Sequence, residues 1–348
     1  MSGARILAIE SSCDETGVAV VVGGRRIEAS QVATQVALHA ATGGIVPEIA
    51  ARQQLRWIVP TLEAALGEAK VGWDELDAVA VTYGPGLIGS LLVGVNVAKA
   101  LAVVHGLPLI GVNHIEGHIY ANWLTDVEAE LPQPAEPQFP LLCLVVSGGH
   151  TQLVLMLDHG RYRLVGQTVD DAAGEAFDKV GRLLGLPYPG GPAISAAADG
   201  ATPATRFPRA RTAGSYDFSF SGLKTAVLRE VESYRERGEP IPVDGLAAAF
   251  EEAVVDALAT KTVAAARDLG VASVALGGGV AANRSLRAVL AERLARDGLS
   301  LRVPPPAWCT DNGAMIGAAA GFRFQAGDLA DAALEAVPNL ALPWLQPA

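Results

Sequence analysis

The chain has 348 residues, half of them hydrophobic and 18% charged; this suffices for two domains of ordinary size and excludes a chain disordered throughout. A net charge of −11 and a pI near 5.0 exclude a general attraction to phosphate backbones, so nucleic-acid binding needs a local basic patch or a helper subunit. Three scattered cysteines, Cys13, Cys143 and Cys309, form no CxxC pair, which excludes a disulfide framework and suits a reducing compartment.

The opening MSGARILAIESS lacks the basic, apolar, small-residue order of a secretory signal, and a cytoplasmic protein is expected. RILAIESSCDETGVAVVV, an apolar run, a polar turn and a second apolar run, predicts a β-hairpin. Its turn exposes Ser11, Ser12 and Thr16. Asp14 and Glu15 could orient a water or a metal there, or serve only as turn polarity. LDAVAVTYGPGLIGSLLVGVNVAKALA predicts a strand, a Gly-rich turn and a helix. The uncharged stretch from Ala78 to Ala98 inside it is broken by Gly-Pro-Gly and reads as strand, turn and buried helix, with no membrane span. LPLIGVNHIEGHIYANWL predicts a short strand, a loop and a helix. DVEAELPQPAEPQFP, residues 126–140, carries four prolines without apolar periodicity and marks the boundary between a first lobe, 1–130, and a second, 131–348.

The second lobe repeats these elements in order. FPLLCLVVSGGHTQLVLML echoes the hairpin, VASVALGGGVAANRSLRAVLAERLA the strand, Gly turn and helix, and LSLRVPPPAWCTDNGAMIGAAAGF the strand, loop and helix. The expected fold is therefore α/β, a duplicated unit of two lobes of mixed sheet plus helices with a central cleft. Residues from about 160 to 250 lack a counterpart and read as an insertion, and the last helix is free to pack back on the first lobe. Tight Gly/Ser turns, here Ser147, Gly148, Gly149 and Thr151, suit an anion such as phosphate. GxxxxGK[ST] is absent, which excludes a P-loop site in this chain.

His114 and His118 open the last helix of the first lobe, and Asp311 opens the matching helix of the second. Pseudo-twofold symmetry predicts that the two helix starts approach across the cleft. Two imidazoles and a carboxylate suit Fe(II) or Zn(II) with open positions. The bland alternative is that the histidines cap or pack a helix start. A zinc protease fits poorly: in HExxH the glutamate directly follows the first histidine, whereas Glu116 lies two residues on, turned ~200° from His114 at ~100° per residue. Asp178 could bond ribose hydroxyls or be an exposed helical acid, and Asn283 could read a sugar or base edge or be an N-cap. Gly190 and Gly191 read most simply as a turn.

IESSCDETGVAVV, GGIVPEIAAR, GPGLIGSLLVG, NHIEGHIYA, LVVSGGHTQLV, DDAAGEAFDKVGRLLGLPYPGGP, DFSFSGLKT, GGGVAANRSLR and CTDNGAMI occur in this order. Over nearly the whole chain they resemble the tRNA N6-adenosine threonylcarbamoyltransferase family, once called O-sialoglycoprotein endopeptidases, of the actin-like, Hsp70 and sugar-kinase ATPase superfamily. The resemblance implies transfer of a threonylcarbamoyl group from L-threonylcarbamoyl-adenylate to N6 of adenosine 37 in tRNAs reading ANN codons, with release of AMP. It implies one Fe(II) per subunit, or zinc or another divalent metal, on His114, His118 and Asp311. Val145, Val146, Ser147, Gly148 and Gly149 would cradle the adenylate phosphate; Asp178, Gly191 and Asn283 would hold ribose and adenine, with Ser195 nearby. Val145 stands, as in bacterial members, where archaeal and eukaryotic relatives carry a tyrosine, so the resemblance does not extend to a tyrosine-ligated metal. Asp14 and Glu15 are candidates for the base. The implied partners are tRNA, a smaller paralogue pairing through the first lobe, and a P-loop ATPase, with a separate synthase making the adenylate. A small-molecule kinase or chaperone-like ATPase on the same fold, with ATP-Mg²⁺ and no metal on the histidines, is the competing class, and a noncatalytic binding subunit is a third.

Overall fold

The computed structural model describes residues 3–126, 136–209 and 215–343. Contacts divide the chain into two units. The first comprises the described residues of Met1–Pro137, His159–Arg161 and Pro304–Ala348; the second comprises those of Gln138–Asp158 and Tyr162–Val303. Most of the expected boundary segment, at residues 127–135, lies outside the described residues.

In chain order the first unit begins with strands β1 (Arg5–Glu10), β2 (Glu15–Val22) and β3 (Arg26–Thr34), then helices α1 (Val36–Thr42) and α2 (Pro47–Ala69). Strand β4 (Ala78–Gly84), helix α3 (Ile88–His105), strand β5 (Leu109–Asn113), helix α4 (His114–Tyr120) and the short β6 (Thr125–Asp126) follow. The second unit holds β7 (Leu141–Val146), β8 (Thr151–Asp158), β9 (Arg161–Gln167), α5 (Ala173–Leu183), α6 (Gly190–Ala198), α7 (Ser221–Glu236), α8 (Val243–Leu269), β10 (Ser273–Gly277), α9 (Arg284–Ala295) and β11 (Leu301–Arg302). The chain then supplies α10 (Pro306–Cys309) and α11 (Gly313–Ala326) to the first unit.

The strand orders are β5-β4-β1-β2-β3-β6 and β11-β10-β7-β8-β9, so the strands of the repeat take equivalent places in the two sheets. Both hairpins, β1–β2 and β7–β8, are antiparallel, and β1–β4 and β7–β10 are parallel. β9 stands in the second sheet where β3 stands in the first, so the region without a counterpart begins after Gln167, later than the sequence implied. RYRLVGQ hid this because only alternate side chains are buried and its other face is charged. α3 is, among the described residues, the helix long and apolar enough to cross a membrane; here it packs beside β4 and α2.

The first sheet has two unlike faces. Leu7, Ile9, Val18, Val20, Val79 and Val81 join α2 and α3 in a large aliphatic core. On the opposite face Ala19, Ala8 and Ala80 lie side by side across β2, β1 and β4. Helix α11 packs on β1 and β2 over this row of small side chains, bringing Gly313, Gly317 and Gly321 at four-residue spacing. A Cβ on Gly313 would stand 2.6 Å from Ala19 N and 2.7 Å from Val18 C, and one on Gly17 2.7 Å from Gly313 N. Helix and strand thus touch backbone to backbone.

Gly313→Ala is expected to cost about 1–3 kcal/mol of unfolding free energy, because backbone atoms cannot rotate out of the way. Gly67→Ala within α2, where nothing lies within 4 Å of the new methyl, is the control. It should be neutral or stabilising by about 0.5–1 kcal/mol. Equal losses in urea unfolding of both variants would remove the close-approach explanation.

Candidate metal centre and adenylate site

Helix α4 starts at His114 because Asn113 Oδ1 accepts from Ile115 N at 2.8 Å and Glu116 N at 3.4 Å. Asn312 does the same for α11, accepting from Met315 N at 2.9 Å, so Asp311 stands just before its cap. All seven residues of α4 are buried, and α4 packs against α11. The ligand atoms of His114, His118 and Asp311 lie within 4.8 Å of one another. All three belong to the first unit, so they converge inside one unit and not across two lobes as the sequence symmetry implied. The reason is the glycine face of α11, which carries the end of the chain back onto β1 and β2.

The donor set fits a divalent cation. Asp311 Oδ1 lies 3.6 Å from His114 Nε2 and 3.2 Å from His118 Nε2, close to the ~3.0–3.4 Å edges of a coordination shell with bonds near 2.1 Å. Both ring nitrogens of His118 are buried without a hydrogen bond, a costly state that ligation would relieve. Burial pulls the His114 imidazole down, but Asp311 and Glu10 more than offset it and raise it to about 9. The carboxylates thus favour positive charge where a metal would bind.

Glu10, which the sequence reading missed, fixes the orientation of His114. Its Oε1 accepts from Ser12 N at 2.5 Å and its Oε2 from Thr82 Oγ1 at 2.7 Å, and Oε2 lies 3.0 Å from His114 Nδ1. With Nδ1–H donating to Glu10, the Nε2 lone pair faces Asp311 and the carboxylate backs the imidazole as in metal sites generally. The available signal was a charged residue closing the apolar run RILAIE. Glu116 turns away from the centre and pairs with Arg323 at 2.7 Å, which leaves no HExxH-type base.

Asp14 and Glu15 stand near Asp311. Burial pushes the Glu15 carboxyl up to about 9, with Asp14 and Asp311 adding to the effect. Thr34 Oγ1 donates to Glu15 Oε1 at 3.1 Å. Cys13, Cys143 and Cys309 are free thiols.

The remaining predicted residues gather in the second unit. Val145 and Val146 are buried in β7, whereas Gly148 and Gly149 are exposed in the turn to β8, with open space where side chains would stand. Ser147 O accepts from Gly174 N at 3.1 Å, which seats the start of α5 against the turn. Thr151 Oγ1 accepts from Ala173 N at 2.9 Å, so the first two amides of α5 are both occupied by the turn, and the exposed Gly148 and Gly149 backbone is left for an anion. Asp178 Oδ1 accepts from Gly190 N at 2.7 Å and so holds the first turn of α6. Gly191 has open space beside it, and Ser195 follows one turn later. Asn283 caps α9 through Leu286 N at 2.8 Å and donates to Ser195 Oγ at 3.0 Å, so its capping role and its nearness to Ser195 coexist. Both also bond Glu251, at 2.6 Å from Ser195 and 2.7 Å from Asn283, a second residue not singled out from sequence. Within the basic runs Arg52 pairs with Glu48, and Arg209 with Glu252 and Asp256.

The family model for TsaD, tRNA N6-adenosine threonylcarbamoyltransferase, matches residues 26–318. The chain belongs to that family. It is 54% identical over 339 residues to the tRNA N6-adenosine threonylcarbamoyltransferase of Geobacillus kaustophilus, covering 97% of this chain and 96% of that protein. The enzyme of the same name from Thermomicrobium roseum is 54% identical over 359 residues, with 97% and 96% covered. Membership makes the chain a transferase. Among solved structures, T. kodakarensis HypF superposes with a TM-score of 0.61 at 15% identity, over 93% of this chain and 48% of that one. Component A of the Acidaminococcus fermentans (R)-2-hydroxyglutaryl-CoA dehydratase gives 0.52 at 15% identity, over 94% and 100%. At such identities the likeness shows the fold alone, and that fold is the duplicated actin-like ATPase architecture.

Glu10→Gln keeps the shape of the side chain and removes its charge. It should weaken the metal affinity of this transferase by about 10–100-fold, read by competition with a chromogenic chelator under nitrogen. Unchanged affinity would exclude Glu10 as the support of His114.

Proposed function

We propose that the chain transfers the threonylcarbamoyl group of L-threonylcarbamoyl-adenylate to N6 of adenosine 37 in tRNAs reading ANN codons, forming t6A and AMP. The observation carrying this reading is the cluster of buried His114 and His118 with half-buried Asp311, braced by Glu10, in a chain of this family. The cluster would hold one Fe(II), a Lewis acid and template for a phosphate-activated acyl donor.

The protein's own groups supply the rest. The Gly148 and Gly149 amides take the adenylate phosphate, and buried Val145 and Val146 hold that turn on β7. Asp178, Gly191, Ser195 and Asn283 take ribose and adenine. The Asp14–Glu15 pair accepts the proton of the N6 amine.

The acidic chain works with helpers: a smaller paralogue on the first unit and a P-loop ATPase, in the cytoplasm where tRNA is found. Leu55 and Val59 on α2, and Leu92, Val103 and Val104 on the adjoining α3, are exposed apolar residues that support such a docking face.

The direct test combines this chain, the two partner subunits, threonylcarbamoyl-adenylate and unmodified tRNA, with nucleoside mass as readout. A threonylcarbamoyl increment on adenosine, absent with His114→Ala, is expected; ATP turnover without that increment would move the protein to the ATPase class. The purified chain alone should be nearly inactive, and Val103→Asp should abolish co-elution with the paralogue. Full single-chain turnover would overturn the requirement for partners.

A further inference from the structure

Glu251 lies on α8 with 7% of its surface exposed, in line with the buried Ala247, Ala248, Val254 and Val255. A carboxylate on an apolar helix face is costly unless its oxygens are satisfied. Oε1 accepts from Ser195 Oγ at 2.6 Å and Asn283 Nδ2 at 2.7 Å, and Oε2 from Ser285 Oγ at 3.0 Å. The three donors come from α6, from the cap of α9 and from α9 itself. We propose that Glu251 is the positioning residue for the nucleoside end of the adenylate site, presenting Ser195 to the ligand as a hydrogen-bond acceptor. This rests on the reading of Ser195 and Asn283 as adenylate contacts.

Proton accounting gives the polarity. The Asn283 amide cannot flip, because its oxygen caps Leu286 N at 2.8 Å and its nitrogen serves Glu251 and Ser195. The single hydroxyl proton of Ser195 goes to Glu251, and one lone pair takes the Asn283 hydrogen. What remains on Ser195 Oγ is one lone pair. A ligand group meeting it must be a donor, such as a ribose hydroxyl or the exocyclic amine of adenine. A group with only lone pairs would leave two acceptors facing each other. Capping α9 needs only the Asn283 oxygen, so helix stability alone does not explain why Ser195 of α6 is tied to the same carboxylate.

The experiment measures calorimetric affinity of the full chain for AMP, 2′-deoxy-AMP, 3′-deoxy-AMP and purine riboside monophosphate, each deoxy or desamino analogue lacking one donor. The wild-type protein should lose about tenfold or more for one of the three. Ser195→Ala should remove that selectivity. Glu251→Gln should remove it too, since a carboxamide can return a hydrogen to Ser195 and free the hydroxyl to rotate. Glu251→Asp, which retracts the carboxylate, carries the same expectation if the glutamine variant does not fold. A structural role alone would lower affinity for all four nucleotides and leave their ratios intact, which would overturn the proposal. Selectivity lost in Ser195→Ala but kept in both Glu251 variants would sink the positioning role while preserving the site. Equal binding of all four by the wild-type protein would sink the site assignment and the proposal together.

Discussion

The contact on which the first unit depends is the backbone approach of α11 to β2. It exists because one face of the sheet carries a row of alanines and the helix answers with glycines. Side chains of ordinary size on either partner would hold the helix off, and Asp311 would move away from the histidines by about the same distance. A metal shell tolerates displacements of only a few tenths of an ångström. Packing that looks remote from the chemistry therefore sets the ligand geometry. The opposite face follows another rule: leucine, isoleucine and valine meet α2 and α3 to supply most of the buried apolar surface. One face provides stability and the other provides accuracy.

The two units divide the chemistry by charge type. The first gathers Glu10, Asp14, Glu15 and Asp311 with two imidazoles, an environment that calls for a cation. The second offers exposed glycine amides in the turn between β7 and β8, an environment that suits an anion.

Much of this was legible in the sequence. Hairpin, glycine turn and helix recur with clear periodicity, and both sheets reproduce their order. The HIEGH and CTDN segments pointed to side chains that do cluster, because histidines at four-residue spacing and a carboxylate at a matching helix start are uncommon together. The meeting of the ligands inside one unit was not legible. Symmetry of sequence carries no information on where the last helix packs, and only the glycine spacing along α11 hints at it. β9 escaped because a strand with one charged face has little apolar signal. Glu10 and Glu251 escaped for a shared reason: a satisfied buried carboxylate is recognised by its donors, and those come from distant segments. Ser12 and Thr82 serve Glu10; Ser195, Asn283 and Ser285 serve Glu251. Asp178, read as a ribose contact or an exposed acid, already holds the first turn of α6.

The chain path through the units has a consequence for biosynthesis. Apart from residues 159–161, the second unit is encoded between the two parts of the first, and Asp311 and α11 come after it. A ribosome therefore releases the whole second unit while the alanine row of the first sheet is still bare and the histidine pair still lacks its carboxylate. The nascent chain passes most of its synthesis with β1, β2 and β4 uncovered on one side, which is when such strands are prone to wrong partners. Metal capture with the full ligand set cannot precede the arrival of α11.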